Sequence, residues 1–386
     1  MNFAVPFVDL KSQYATIHTE VDLALREVLE SAHFVGGPVL ERFEQEFAAF
    51  TGAAFAVGVG NGTDAITLAL RAAEIGQGDE VLVPANSFFA SAEAITNAGA
   101  IPIFVDVDAR TFLMDPDAAA NAITDRTRAI LPVHLFGRAL DMRPLEALAA
   151  ANNLLIIEDC AQAHGASIGG ETIGASGRLT CFSFYPGKNL GAYGDGGAVT
   201  TSDPEMRRRL IELRDHGSSR KYQHVRIGCN SRLDALQAAV LSVKLRHLKQ
   251  WNESRRRHAA KIAAALAGTP IVAPEIPPSG EHVFHLFVVR CSRRDALQQF
   301  LTRRGISTGI HYPIPLHLTE AYRRLGGQDD KACAVAEQLA VEILSLPMFA
   351  ELTKGQIQHM INSIHDFIRA ESPTLPVSFD CSATQI

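Results

Sequence analysis

No part of this 386-residue chain approaches the roughly 20 consecutive apolar residues that a membrane-spanning helix needs, and the opening MNFAVPFVDLK has no basic segment followed by an apolar one. The expectation is a cytoplasmic protein that does not engage a membrane. Proline-rich and glycine-serine-rich linkers are absent, as are internal repeats and low-complexity segments, so a string of independent modules is excluded. The six cysteines include no CxxC pair, which argues against a metal centre. Cys160, Cys181 and Cys291 lie in or beside apolar runs and read as buried free thiols. Charge of one sign is also scarce. The net charge is −6, and the basic runs Arg207–Arg209 and Arg255–Arg257 are short enough to be solvated helix faces, so no nucleic-acid partner is expected. What is present, 47% hydrophobic and 20% charged residues, is the composition of a globular protein with a sizeable core.

Between about residues 54 and 200, short apolar runs alternate with helical patterns: AFAVGV, EVLVPA, IPIFVDV, RAILPVHLF, LLIIEDC, LTCFSFY and GGAVTTS. This alternation predicts an α/β fold with a mostly parallel central sheet flanked by helices. In such sheets the chemistry gathers beyond the carboxyl ends of the strands. Helices are predicted at 12–31 and 39–50, separated by the glycine-rich HFVGGP. A long helix at 233–265, with Leu233, Leu236, Val240, Val243 and Leu248 near a 3.6 period, is predicted to lead out of the large domain. The remainder reads as a smaller α+β unit with a strand in HVFHLFVVR, a helix ending at Gly305, and further helices at 329–345 and 353–369. The expected division is 1–250 for the large domain and 251–386 for the small one.

Three segments could carry chemistry. GVGNGTDAITLALRAA follows a strand and opens a helix, so the backbone N–H groups of Gly62 and Thr63 are placed to cradle a phosphate. Its glycines are spaced GxGxG rather than GxGxxG and no P-loop lysine follows, which disfavours a nicotinamide dehydrogenase. LLIIEDC ends in Glu158-Asp159. A carboxylate at the end of a buried strand needs a cation or several donors, and a protonated ring nitrogen is one such cation; a helix N-cap is the alternative. TCFSFYPGKNLGAYGDGG runs from a strand into a polar loop with one lysine, Lys188. Enclosure would lower the pKa of that lysine and make it a nucleophile, whereas a solvated loop lysine would stay protonated.

The order of FVDLKSQY, NGTDAI, PANSFFASAEAI, EDCAQAHGA, FSFYPGKNLGAYGDGG, GCNSRLDALQAAVL and HYPIPLHL resembles the DegT or StrS family of sugar aminotransferases over nearly the whole chain. Those are pyridoxal-phosphate enzymes of fold type I. The resemblance implies pyridoxal 5'-phosphate as cofactor, with Lys188 as its Schiff-base lysine and Asp159 paired with the pyridine nitrogen. Gln162 would lie near the ring hydroxyl, Phe88 would stack on the ring, and Ser183, Gly62 and Thr63 would hold the phosphate. Asn230 matches a residue that reaches the phosphate of a neighbouring subunit's cofactor, which implies a homodimer with active sites at the subunit interface. Dehydratases of the family carry histidine where this chain has Lys188, so that branch is disfavoured.

Among the subgroups, the chain looks most like those acting at C3 of dTDP-3-keto-6-deoxyhexoses with L-glutamate as amino donor. Tyr185, Lys221, His311 and Tyr312 match residues that face the sugar nucleotide there. Lys221 and the pair His311-Tyr312 also suit a pyrophosphate on chemical grounds, as basic or hydrogen-bonding side chains. For Tyr312 a turn residue before Pro313 is the competing reading, for His311 a satisfied loop histidine, and for Phe88 ordinary core. The open alternatives are amination at C4, amination of a cyclitol, or a non-catalytic regulatory role.

Overall fold

The computed structural model describes residues 4–278, 280–325 and 333–371. The motif-free stretch 372–386, with Cys381, lies outside the described residues, as does the start of the helix expected at 329–345.

Helices α1 (Leu10–Ser31) and α2 (Gly37–Thr51) precede the sheet. The Asp9 side chain caps the first of them by accepting from the Ser12 N–H, and Gly52 closes the second in the left-handed conformation, with φ +83°. The alternating region then follows as β1 (Phe55–Val59), α3 (Gly62–Ala72), β2 (Glu80–Pro84), α4 (Phe89–Asn97), β3 (Ile101–Val105), α5 (Pro116–Asn121), β4 (Thr127–Ile130), α6 (Arg143–Asn152) and β5 (Leu155–Asp159). A small hairpin, β6 (Ser167–Ile168) and β7 (Glu171–Thr172), leads to β8 (Leu179–Ser183), β9 (Gly197–Thr201) and α7 (Pro204–Arg214). A second hairpin, β10 (Ser218–Arg220) and β11 (Gln223–His224), precedes the long α8 (Ala235–Leu266). The last part holds β12 (Phe287–Arg290), α9 (Arg294–Arg303), α10 (Glu320–Arg324), α11 (Ala334–Glu342), β13 (Ile343–Leu346) and α12 (Lys354–Glu371).

All seven apolar runs become strands of one sheet, ordered β1-β9-β8-β5-β4-β2-β3, in which β9 runs against both neighbours and the other pairings are parallel. The register fixes where the chemistry falls. Gly197 pairs with Val59 on one side and with Ser183 on the other, and Cys181 pairs with Asp159. The ends of β1, β5 and β8 and the start of β9 therefore share one edge, onto which α3 opens.

The sheet core runs from Val57 through Leu82 and Ile130 to Val199. Behind β8, Phe43, Phe47, Phe182 and Phe184 pack largely edge to face, with ring centroids 5.0–5.7 Å apart. Helix α8 joins two cores, because Ala238, Leu241 and Leu248 belong to this aromatic cluster while Ala259, Ile262 and Leu266 pack with β12, β13, α9 and α12.

Two expectations for the last part need correction. The helix predicted to reach residue 345 stops at Glu342, and Ile343–Leu346 is a strand antiparallel to β12. A short, mostly apolar run such as Ile-Leu-Ser-Leu fits either structure, and pairing with β12 decides. The strand candidate HVFHLFVVR contributes only Phe287–Arg290. Cys160, Cys181, Cys291 and Cys333 are buried free thiols.

Candidate active site

Helix α3 begins at Gly62, and Asn61 caps it by accepting from the Asp64 N–H at 2.8 Å. The first N–H groups of this helix have no intrahelical acceptor, and its start packs against Ser183 at the end of β8. A Cβ on Gly62 would lie 2.5 Å from the Ser183 Cβ, so glycine is required for helix and strand to approach this closely. Gly62→Ala is accordingly expected to destabilise the fold by about 1–3 kcal/mol through overpacking, read as a lower midpoint in thermal or denaturant unfolding. An unchanged midpoint would mean that the cradle is not tight.

Asp159, at the end of β5, is buried, and both carboxylate oxygens are engaged. Oδ1 accepts from the Ala161 N–H at 3.0 Å and Oδ2 from the Ser91 hydroxyl at 2.7 Å. It does not cap a helix, since no helix follows at this point. Neighbouring Glu158 points elsewhere, into a network with His134 Nε2 at 2.9 Å and Arg178 Nε at 2.8 Å. Burial raises the Glu158 pKa, but His134 and Arg178 more than offset it and bring it to about 2. His134, Glu158 and the Cys160 thiol lie close enough together to suggest a metal site. However, the Leu140 N–H donates to His134 Nδ1, so Nε2 carries the ring proton and gives it to Glu158. That cluster is a closed hydrogen-bond network that anchors the end of β5.

Lys188 sits in the loop after β8, and its backbone N–H bonds the Tyr185 carbonyl at 2.9 Å. Its ammonium has no hydrogen-bond or ion-pair partner among the described residues. Burial lowers its pKa from 10.5 to about 8, and the Asp159 charge opposes that shift without cancelling it. Three histidines share the enclosure: His164, His285 and His311 all have their pKa lowered, by burial first and then by the Lys188 charge.

The lysine loop is fastened from behind. Asn189 Nδ2 donates to Asn252 Oδ1 on α8 at 2.8 Å and to the Val283 carbonyl at 3.0 Å. Lys244, also on α8 and fully buried, donates to the Gly191 carbonyl at 2.7 Å and lies 4.3 Å from the Tyr193 ring centre.

Gln162 is buried beside Asp159; its Oε1 accepts from the Phe136 N–H at 2.6 Å and its Nε2 donates to the Tyr312 hydroxyl at 3.1 Å. Tyr312 reaches the strand ends because the Leu316 N–H donates to the Ala85 carbonyl at 2.8 Å. Its ring lies 5.6 Å from that of Phe88. Phe88 is 55% exposed, which rules out ordinary core. His311 stacks on Phe7 and pairs with the Ser345 hydroxyl at 2.8 Å, so much of its capacity is used within the fold.

Lys188, Asp159, Gln162, Ser183, Gly62, Thr63, Phe88, His311 and Tyr312 thus gather at one edge of the sheet. Tyr185 is 62% exposed. Lys221, at the tip of the β10–β11 hairpin, and Asn230 are exposed; the side chain of Asn230 has no hydrogen-bond partner among the described residues. Its neighbour Ser231 is tied to the phosphate-loop region of the same chain, accepting from the Gly60 N–H at 3.0 Å and donating to Asp64 at 2.6 Å. Sequence reasoning gave no role to Ser91, Asn189 or Lys244, because polar residues inside helices and loops carry no periodic signal.

The geometry has close counterparts. Residues 15–365 match the model of the DegT/DnrJ/EryC1/StrS aminotransferase family. A Streptomyces venezuelae dTDP-3-amino-3,4,6-trideoxy-alpha-D-glucose transaminase is 47% identical, with 94% of this chain and 96% of the relative covered. An Acidithiobacillus ferrooxidans UDP-N-acetyl-3-dehydro-alpha-D-glucosamine 3-aminotransferase is 46% identical, over 94% of this chain and 98% of that protein. Among solved structures, S. venezuelae DesV in complex with a ketimine intermediate superposes with a TM-score of 0.92 at 46% identity, covering 94% of this chain and 98% of that one. The chain belongs to the DegT/DnrJ/EryC1/StrS aminotransferase family and has the fold of type I pyridoxal-phosphate transferases.

Proposed function

We infer that this aminotransferase uses pyridoxal 5'-phosphate to convert a nucleotide-linked 3-keto sugar, of the dTDP-3-keto-6-deoxyhexose class, to the 3-amino sugar with L-glutamate as donor. The observation that carries the reading is the enclosed Lys188 amine, without a hydrogen-bond or ion-pair partner among the described residues and close enough to Asp159 to feel its charge. The site suits the cofactor. Gly62 opens helix α3, whose first N–H groups lack intrahelical acceptors and so suit a phosphate, and the buried Asp159 carboxylate offers its remaining lone pairs to a protonated ring nitrogen.

When bound, the cofactor supplies a ring that takes up the electron pair left on a carbon that loses its proton. Everything else falls to the protein. Lys188 would hold the cofactor through Nζ, then act as free amine to take the proton from the Cα of the amino donor and deliver it to the cofactor carbon that Nζ had held. Asp159 would oppose the positive ring nitrogen. Gln162 would meet the ring hydroxyl, Phe88 would cover a ring face, and Ser183, Gly62 and Thr63 would receive the phosphate. Tyr185, Lys221, His311 and Tyr312 would face the sugar nucleotide, with Lys221 suited to its pyrophosphate.

The pH dependence follows from the lowered lysine pKa. Only the neutral amine attacks an aldehyde, so the rate of cofactor capture by the apoprotein should rise with pH and level off above about pH 8. Stopped-flow absorbance measures this. A rate still climbing toward pH 10.5 would mean that Lys188 is solvated.

A homodimer completes the reading, with Asn230 serving the cofactor of the second copy. The exposed Tyr222, Val225 and Ile227 beside it support this, as apolar side chains that a second chain would cover. Light scattering at working concentration should give twice the chain mass. Among the described residues no helix is long and apolar enough to cross a membrane.

The substrate is tested by supplying L-glutamate with dTDP-3-keto-6-deoxyglucose, a UDP-N-acetyl-3-keto sugar, or a dTDP-4-keto sugar, and analysing products by mass spectrometry and NMR. The reading requires that the dTDP-3-keto sugar be aminated fastest. Preference for the UDP or the 4-keto compound would keep the aminotransferase and change its substrate.

A further inference from the structure

The Asp159 carboxylate is pinned at both oxygens, and one of the pins is the end of a chain of hydroxyls. Ser91 donates to Oδ2 at 2.7 Å, and the Ser87 hydroxyl lies 2.8 Å from that of Ser91. Ser91 has a single hydroxyl proton, already given to the carboxylate. Ser87 is therefore the donor to Ser91, and the chain runs one way, from Ser87 through Ser91 to Asp159.

Both serines are buried, at 3% and 1% exposure, where an unused hydroxyl would be costly. Neither is occupied as a helix cap: the N-cap of α4 is Phe88, and no side-chain cap hydrogen bond is made there. The Cβ–Cγ torsion of an aspartate is broad and nearly two-fold, so a carboxylate held at one oxygen can still turn. Held at Oδ1 by the Ala161 N–H and at Oδ2 by Ser91, it cannot.

We propose that Ser91, backed by Ser87, is a positioning residue that locks the orientation of the Asp159 carboxylate for the cofactor ring. The proposal rests on the reading that Asp159 meets the ring nitrogen. Release of Oδ2 lets the carboxylate rotate, which weakens the contact with the ring and changes the proton affinity of whatever ring group it opposes. Loss of Ser87 leaves Ser91 in place but removes the donor that polarises it, so its effect is smaller.

The test uses the full-length protein loaded with pyridoxal phosphate and the variants Ser91→Ala, Ser91→Thr, Ser87→Ala and Asp159→Asn. Two readouts are followed besides activity: the cofactor dissociation constant and the pH titration of the near-visible absorption band. Ser91→Ala is expected to weaken cofactor binding about tenfold, the scale of one hydrogen bond to a charged group, and to displace the titration. Ser91→Thr should restore both to within about threefold, which a merely structural role for the position would not predict, and Ser87→Ala should fall between.

Parent-like values of both readouts in Ser91→Ala, with Asp159→Asn disrupted, overturn the serine relay and leave the role of Asp159 standing. Parent-like values in Asp159→Asn as well overturn both. If Ser91→Ala does not fold, Ser87→Ala and Ser91→Thr decide: a displaced titration in the former that the latter does not share supports the relay, and no displacement in either overturns it.

Discussion

Alanine in place of Lys188 is expected to lower transamination by about 10⁴-fold, the upper range for removal of a positioned acid-base group, while leaving the protein folded. The lysine has two tasks in this account, holding the cofactor through Nζ and moving the proton between the two carbons, and no nearby side chain can replace it. His164, His285 and His311 share its enclosure, but burial drives the pKa of His164 to about 3 and of His311 to about 4, and that of His285 well below its ordinary value. They are neutral and poor proton acceptors at neutral pH. The ammonium makes no hydrogen bond or ion pair among the described residues, so its removal leaves no partner stranded. Full-length Lys188→Ala should therefore unfold at or above the parental temperature, and activity should return in part with added small primary amines.

Asp159→Asn should lower kcat/KM by about 10²–10³-fold, the scale seen when one preorganised electrostatic partner is lost at a site of developing charge. Asparagine keeps the shape, and its Oδ1 can still accept from Ser91 or from Ala161, so the fold should survive. Asp159→Ala is the harsher change. It strands the Ser91 hydroxyl and the Ala161 N–H, both of which donate to this carboxylate, and should add about 1–3 kcal/mol of instability for each stranded group. Single-turnover kinetics with L-glutamate, set beside unfolding midpoints, separates the two effects. Equal activity in the parent and Asp159→Asn would remove the aspartate from the chemistry.

The seven strands could be read from the sequence because each is a short apolar run bounded by turn residues, and a sheet covered on both faces requires such runs. The antiparallel course of β9 could not. Direction depends on the connection, and the 13 residues between Ser183 and Gly197 form the lysine loop rather than a crossover helix. The β12–β13 pair shows the same limit, since Ile343–Leu346 continues the apolar pattern of a helix and only long-range pairing makes it a strand. At the site, Asp159 stood out because a carboxylate at the end of a buried apolar strand is costly without a partner, and Lys188 because it is the one lysine of the polar loop after β8 and stands in the family's order of motifs. Ser91 did not stand out, since its partner lies 68 positions away in sequence. Lys244 looked like one more polar residue on a long helix, yet it is fully buried against the Gly191 carbonyl. Lys221 and Asn230 lie on exposed segments of the isolated chain, where their matches to the family motifs gain no support from packing.

The most direct test of the account is the absorption spectrum of the purified protein reconstituted with pyridoxal phosphate, recorded before and after L-glutamate and again after dTDP-3-keto-6-deoxyglucose, with Lys188→Ala in parallel. The account predicts a near-visible band in the parent that glutamate bleaches and the keto sugar restores, and no lysine-linked band in the variant. A parent that shows no band after reconstitution, or a Lys188→Ala protein that cycles as the parent does, would contradict it.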